Sequence, residues 1–150
     1  MQSNYGEPIY EYTARFTKLT EFGAPVEDLL AGRAAPPPSG LRVDIHFEGE
    51  VTGKLGGYLK AVDYLNIRAD GRMDLDIKGV IATPDGANIA ISAGGVALPK
   101  PGSTASRIVE NVKLTTAHPD YAWVNSLEFW AVGEGDIAAR QVTIRGYLPQ

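Results

Sequence analysis

The most informative segment of the chain is Tyr121-Ala-Trp-Val-Asn-Ser-Leu-Glu-Phe-Trp130. Read as a strand, it turns Tyr121, Trp123, Asn125, Leu127 and Phe129 to one face, because successive side chains alternate. A buried amide must find partners, so a core face has little use for an Asn in line with Tyr and Trp. A ligand cavity does use that mixture: apolar walls with a few placed polar groups. In this reading Tyr121 and Trp123 form walls and Asn125 orients a ligand. The competing reading makes the two aromatics core residues and Asn125 the tie for a neighbouring loop.

A second candidate is Asp63-Tyr-Leu-Asn-Ile-Arg68, where Tyr64, Asn66 and Arg68 share one face and Asp63, Leu65 and Ile67 the other. An Arg fork beside a Tyr hydroxyl could hold a carboxylate or enolate oxygen. Alternatively that polar face is the wet outside of the sheet, with Arg68 paired to Asp74 or Asp76 across a hairpin. Asp74 and Asp76 stand two apart on one face, as do Glu48 and Glu50. Close carboxylates can split their pKa values and work as acid and base, although such pairs are more often solvated. For a catalytic reading, Tyr121 or Asp76 moves the proton while Asn125 and Arg68 stabilise charge.

Other chemistries find no support in the residues. There is no Cys, so thiolate metal sites, disulfides and thiol nucleophiles are excluded. The only two histidines, His46 and His118, lie far apart in sequence, which argues against zinc. Gly133-Glu-Gly-Asp-Ile-Ala138 matches a dinucleotide pattern formally, yet it leads into a strand and not a helix, so it reads as a hairpin. No cofactor is called for. With 14 basic and 18 acidic side chains the net charge is −4, and the aromatics are not interleaved with a basic patch. Nucleic acid is therefore not an expected partner.

These residues need a scaffold, and the rest of the chain reads as one β-domain. Period-two alternation recurs over Ile9–Lys18, Leu41–Val51, Gly57–Arg68, Arg72–Thr83, Ala87–Ala97, Arg107–Ala117, Tyr121–Val132 and Ile137–Leu148. Asp70-Gly71, Pro84-Asp85-Gly86 and Gly133–Asp136 mark tight turns between successive strands. The long connection 21–40 holds one helical turn at Val26–Leu30, then the stiff run Ala34-Ala-Pro-Pro-Pro38. Gly 17 and Pro 10 fit many short elements better than a few long helices. The expected fold is all-β: a single eight-stranded antiparallel barrel over residues 1–150, with a β-sandwich as the alternative. At eight strands the interior is either filled by side chains or holds one small ligand. The start Met1–Pro8 has no basic, apolar pattern of a secretory leader, and no stretch nears the roughly 18 apolar residues of a membrane span. A cytoplasmic protein is expected.

With these residues laid out, the chain resembles the bacterial domain-of-unknown-function family 3237. The resemblance rests on Phe47-Glu-Gly-Glu-Val-Thr-Gly53, Val62-Asp-Tyr-Leu-Asn-Ile-Arg-Ala-Asp-Gly71, Leu75-Asp76, Thr83-Pro-Asp-Gly-Ala87, Tyr121-Ala-Trp-Val-Asn125 and Gly133. It implies a closed, calycin-like barrel with a central pocket and assigns no activity. Members often carry Arg-Tyr after the Leu-Asp pair, where this chain has Lys78-Gly79. The leading expectation is a barrel that binds an apolar or aromatic oxygenated small molecule through Tyr121, Trp123, Asn125, Tyr64 and Arg68. The second is a cofactor-free lyase, isomerase or cyclase acting on a carbonyl or polyketide-like substrate. The third is a structural or homo-oligomeric module, expected if the interior is filled and a large apolar patch is exposed.

Overall fold

A computed structural model describes residues 5–149; half of the segment Met1–Pro8, residues 1–4, lies outside them. Eight strands run in order: β1 (Glu7–Glu21), β2 (Leu41–Gly53), β3 (Gly57–Ile67), β4 (Met73–Ala82), β5 (Asn88–Pro99), β6 (Ala105–Thr115), β7 (Glu128–Asp136) and β8 (Gln141–Leu148). Each pairs antiparallel with the next, and β1 also pairs with β8, so the sheet closes and the sandwich alternative falls. Closure removes the free edges of a sheet. It also gives every strand one phase inside: Tyr10, Tyr12 and Ala14 on β1, and Val43, Ile45 and Phe47 on β2, are buried as the alternation predicts. Two breaks in register bend β1, between Pro8 and Tyr10 and between Phe16 and Lys18. No helix among the described residues is long and apolar enough to cross a membrane.

The two ends of the barrel differ. At one end gather the β2–β3 and β4–β5 turns and the β6–β7 connection. There Leu55, Leu59, Ile81, Ile89, Leu114, Val124 and Phe129 are fully buried and plug the interior. At the other end the five-residue helix α1 (Val26–Leu30) lies across the opening. The Glu21 carboxylate accepts the Val26 N–H at 2.6 Å, which satisfies one of the free donors of that short helix and fixes where it starts. Val26 itself is 2% exposed.

Two expectations about the C-terminal third are corrected. The segment from Tyr121 is not a strand: Ala122–Val124 forms a turn of 3-10 helix, and β7 begins only at Glu128. The N–H groups of Val124, Asn125 and Leu127 each reach back three residues, to the carbonyls of Tyr121, Ala122 and Val124. Likewise Gly133–Asp136 is strand, and the turn is residues 137–140, so β8 starts at Gln141 and not at Ile137. At Gly133 a Cβ would stand 1.9 Å from the Thr143 carbonyl oxygen. The glycine is there for close approach of two strands, not for a turn. The real turn is shaped by Arg140 at φ 54 and by Asp136, whose Oδ1 accepts the N–H groups of Ala138 (3.0 Å) and Ala139 (3.2 Å).

Candidate functional site

Beneath α1 the barrel holds a cavity of about 80 Å³. Its roof is Val26 and Leu30, and its walls include Phe16, Ile45, Phe47, Leu65, Met73, Leu75, Ile77 and Ile108. The polar lining is short: Tyr12, Asp63, Thr104, Ser106, Glu110 and Asp136. None of the lining residues is basic.

Asp63 enters the cavity because it occupies the inward phase of β3, between Ala61 and Leu65, both buried. Glu110 does the same on β6, between Ile108 and Val112. They are 7% and 3% exposed, so both carboxyls have lost nearly all contact with bulk water. Asp63 keeps one anchor. The β3–β4 pairing is interrupted between Asp63↔Ile77 and Asn66↔Asp74, and there Asp63 Oδ1 accepts the Asp76 N–H at 2.9 Å. Glu110 accepts no hydrogen bond from the described residues. Burial pushes the Asp63 carboxyl up to about 7, opposed by the Asp76 N–H and reinforced by the charges of Asp76 and Asp44. Burial, and then the nearby charge of Asp63, pushes Glu110 up to about 8. Near neutral pH the cavity thus contains two carboxyls poised to hold or release protons.

Two stacked tyrosines extend this cluster. Tyr10 and Tyr12 lie with ring centroids 6.2 Å apart and planes 5° apart, and Tyr12 stacks in turn on Phe47 at 6.4 Å. Burial, and after it the charge of Glu110, raises the pKa of both hydroxyls, so they remain protonated. Tyr10 Oη is fully enclosed and has no hydrogen-bond partner among the described residues.

The residues singled out from sequence lie elsewhere, and none lines the cavity. Tyr121, Trp123 and Asn125 do come together, at the plugged end. The Tyr121 hydroxyl donates to both Asp85 carboxylate oxygens at 3.0 Å. Trp123 packs edge-on against Phe129 at 6.4 Å and carries the Lys54 ammonium 5.6 Å above its ring. Asn125 Oδ1 accepts the Thr116 N–H at 2.8 Å, while Nδ2 donates to the Thr116 carbonyl at 2.7 Å. Those bonds are the loop tie considered as the alternative above. Tyr64 and Arg68 are on the outer phase of β3 and in the turn after it: the Arg42 guanidinium sits 5.2 Å from the Tyr64 ring, and Arg68 grips Asp70 at 2.7 and 3.1 Å, not Asp74 or Asp76. Asp76 also faces out, 3.6 Å from Lys78. Asp74 pairs with Arg72 at 2.9 Å, and Glu48 meets Arg15 at 3.4 Å and the Tyr58 hydroxyl.

Among the described residues, one cluster has the side chains to ligate a metal. Ligand atoms of Asp85, His118 and Asp120 lie within 4.8 Å of one another at the exposed plugged end. His118 Nδ1 is already engaged by the Asp120 N–H at 3.2 Å, and Asp85 by the Tyr121 hydroxyl.

Asn125→Ala is expected to destabilise the fold by about 1–3 kcal/mol, because the Thr116 N–H and carbonyl lose both partners. Urea melts measure this. An unchanged midpoint, joined to weakened ligand binding, would return Asn125 to the role of ligand-orienting residue.

Glu110 is not among the residues singled out from sequence, and Asp63 stands there only on the face opposite Tyr64, Asn66 and Arg68. The available signal was a carboxylate in step with an apolar phase: Ala61, Asp63, Leu65, Ile67 on β3, and Ile108, Glu110, Val112, Leu114 on β6.

No curated protein matches the chain. Solved structures do. A protein of unknown function from Clostridium acetobutylicum superposes with a TM-score of 0.76 at 21% identity, covering 96% of this chain and 98% of that one. A beta-barrel like protein from Acinetobacter baumannii gives 0.72 at 19% identity, over 95% and 93% of the two chains. A protein described as an enzyme, from Penicillium herquei, gives 0.60 at 17% identity, over 97% and 98%. Likeness at these identities speaks for the fold, while the family is decided by sequence. The model of the DUF3237 family, proteins of unknown function, matches residues 31–148, and the chain therefore belongs to that family.

Proposed function

We propose that this barrel binds a small oxygenated molecule in its interior and catalyses a cofactor-free proton transfer on it, as an isomerase, lyase or cyclase of a carbonyl compound. The observation that carries this reading is the pair Asp63 and Glu110, both more than nine-tenths buried and facing one largely apolar cavity. Buried carboxyls without a cation are costly to a fold, and they recur where acid–base work is done. The description of the Penicillium herquei protein as an enzyme adds that this architecture hosts catalysis elsewhere.

The division of labour follows from the surroundings. The hydrogen bond from Asp76 N–H favours the ionised form of Asp63, which makes Asp63 the base. Glu110 has no such donor and retains its proton to higher pH, which makes it the acid. Asp63 takes a proton from the carbon beside the carbonyl, and Glu110 donates a hydrogen bond to the oxygen as negative charge gathers there. Returning the proton to a different carbon completes an isomerisation, and loss of a leaving group from the enol completes an elimination. The purely structural module fits less well, because the interior at the α1 end is not filled.

The test is proton NMR in D2O with small ketones such as cyclohexenone. Deuterium should enter beside the carbonyl faster with the protein than in buffer, and Asp63→Asn should return the rate to background. A wild-type protein that binds these ketones and exchanges none of their protons would leave a binding protein without catalysis.

A further inference from the structure

We propose that the cavity admits uncharged oxygenated molecules and turns away anions, with Glu110 taking the ligand oxygen. This rests on the reading of the cavity as the binding site and adds the charge class of what enters.

Three features converge on it. First, the lining contains three carboxyl side chains and no Lys, Arg or His. A ligand carboxylate or phosphate would be stripped of water there with no cation to receive it. Second, the mouth offers no compensation. The basic side chains of the turns around it are each matched to an acid: Arg33 with Asp28, Arg68 with Asp70, Arg72 with Asp74, Lys100 with Glu134 and Arg140 with Glu27. Lys18 and Arg107, also at this end, point outward from their strands. Asp136, by contrast, lies at the rim with a hydroxyl and two backbone N–H groups holding its carboxylate ionised, and no cation against it. Third, Glu110 is a buried side chain aimed into the cavity with no hydrogen-bond partner among the described residues. Burial keeps it protonated near neutrality, and a protonated acid offers an O–H, which seeks an oxygen and not an ammonium group.

The experiment titrates the full-length, ¹⁵N-labelled chain at pH 7.5 with three probes on one ring: cyclohexanone, cyclohexanecarboxylate and cyclohexylamine. Cyclohexanone should shift the amide signals of Tyr12, Asp63 and Glu110, and the carboxylate should bind at least about tenfold more weakly. Glu110→Gln keeps a donor but cannot ionise, so it should narrow that gap. Equal or tighter binding of the carboxylate overturns the proposal. So does tightest binding of the amine, which would make the ligand a cation, and so does absence of binding by all three at millimolar concentration. Preferential binding of the ketone without exchange of its protons would sink the acid–base reading and leave this proposal standing.

Discussion

Raising the pH from the ordinary carboxyl range to about 8 should destabilise this protein. Asp63 and Glu110 titrate at about 7 and about 8 in the fold, against 3.8 and 4.5 for the free groups. Over that window the folded state holds protons that the unfolded chain has released, so stability falls with rising pH. The contribution is fully present below the free-group values and lost as pH passes through the folded ones. A displacement of this size is worth on the order of 4 kcal/mol for one carboxyl. The two do not simply add, since part of the Glu110 displacement is the charge of Asp63. Asp44, Glu48, Asp70, Asp85 and Asp136 act in the opposite sense: each is held below the usual carboxylate range by hydrogen bonds, so their stabilisation fades as the solution becomes acidic. Asp70 and Asp85 are exposed, and Asp44, Glu48 and Asp136 are only partly buried, so they weigh less than the two enclosed carboxyls. Urea melts at stepped pH should therefore show the wild type declining towards pH 8, and the Asp63→Asn/Glu110→Gln variant nearly flat and the more stable of the two at pH 8. Parallel profiles for the two proteins would show that neither carboxyl carries a burial cost.

The barrel was legible because closure imposes one rule on every strand. One phase must be apolar and the other wet, and β2 and β4 obey it almost residue by residue. The tight turns were legible where backbone chemistry is forced: Gly71 and Gly86 adopt φ of 93° and 91°, as Asp-Gly and Pro-Asp-Gly predict. The plugged end was not. Tyr121, Trp123 and Asn125 alternate as strand residues do, and a three-residue turn of 3-10 helix is too short to impose a period of its own. Gly133 and Gly135 resemble turn residues by type, but glycine also lies where two strands approach closely, and sequence does not separate the uses.

The site was half legible. The two faces of β3 were read correctly as sets, with Asp63, Leu65 and Ile67 opposite Tyr64, Asn66 and Arg68. The face with more polar atoms is the wet outside of the barrel. Yet a single acid in an apolar phase says more than three polar residues together, because burial changes its proton affinity. That Asp63 and Glu110 line one cavity depends on the stagger of strands around the barrel. No pattern within either strand encodes it.

The exchange of ketone protons should follow a bell-shaped pH profile with limbs near 7 and 8, and this is the sharpest measure of the two carboxyls acting together. The acid limb reports loss of the ionised base and the alkaline limb loss of the protonated acid. Both limbs belong to the coupled pair and not to one residue each. Tyr10, Tyr12 and Asp136 do not titrate there. Tyr10 and Tyr12 are kept protonated by burial, Asp136 is kept ionised by its hydrogen bonds, and Asp44 and Asp76 act on Asp63 from the neighbouring strands as charges that raise its pKa. Asp63→Asn removes the base and should lower the rate on the order of 10²–10⁴-fold at every pH. Glu110→Gln keeps a hydrogen-bond donor at the oxygen, so its loss should be smaller, and the alkaline limb should vanish. A wild-type rate that climbs steadily with hydroxide concentration, indifferent to both substitutions, would remove Asp63 and Glu110 from the chemistry.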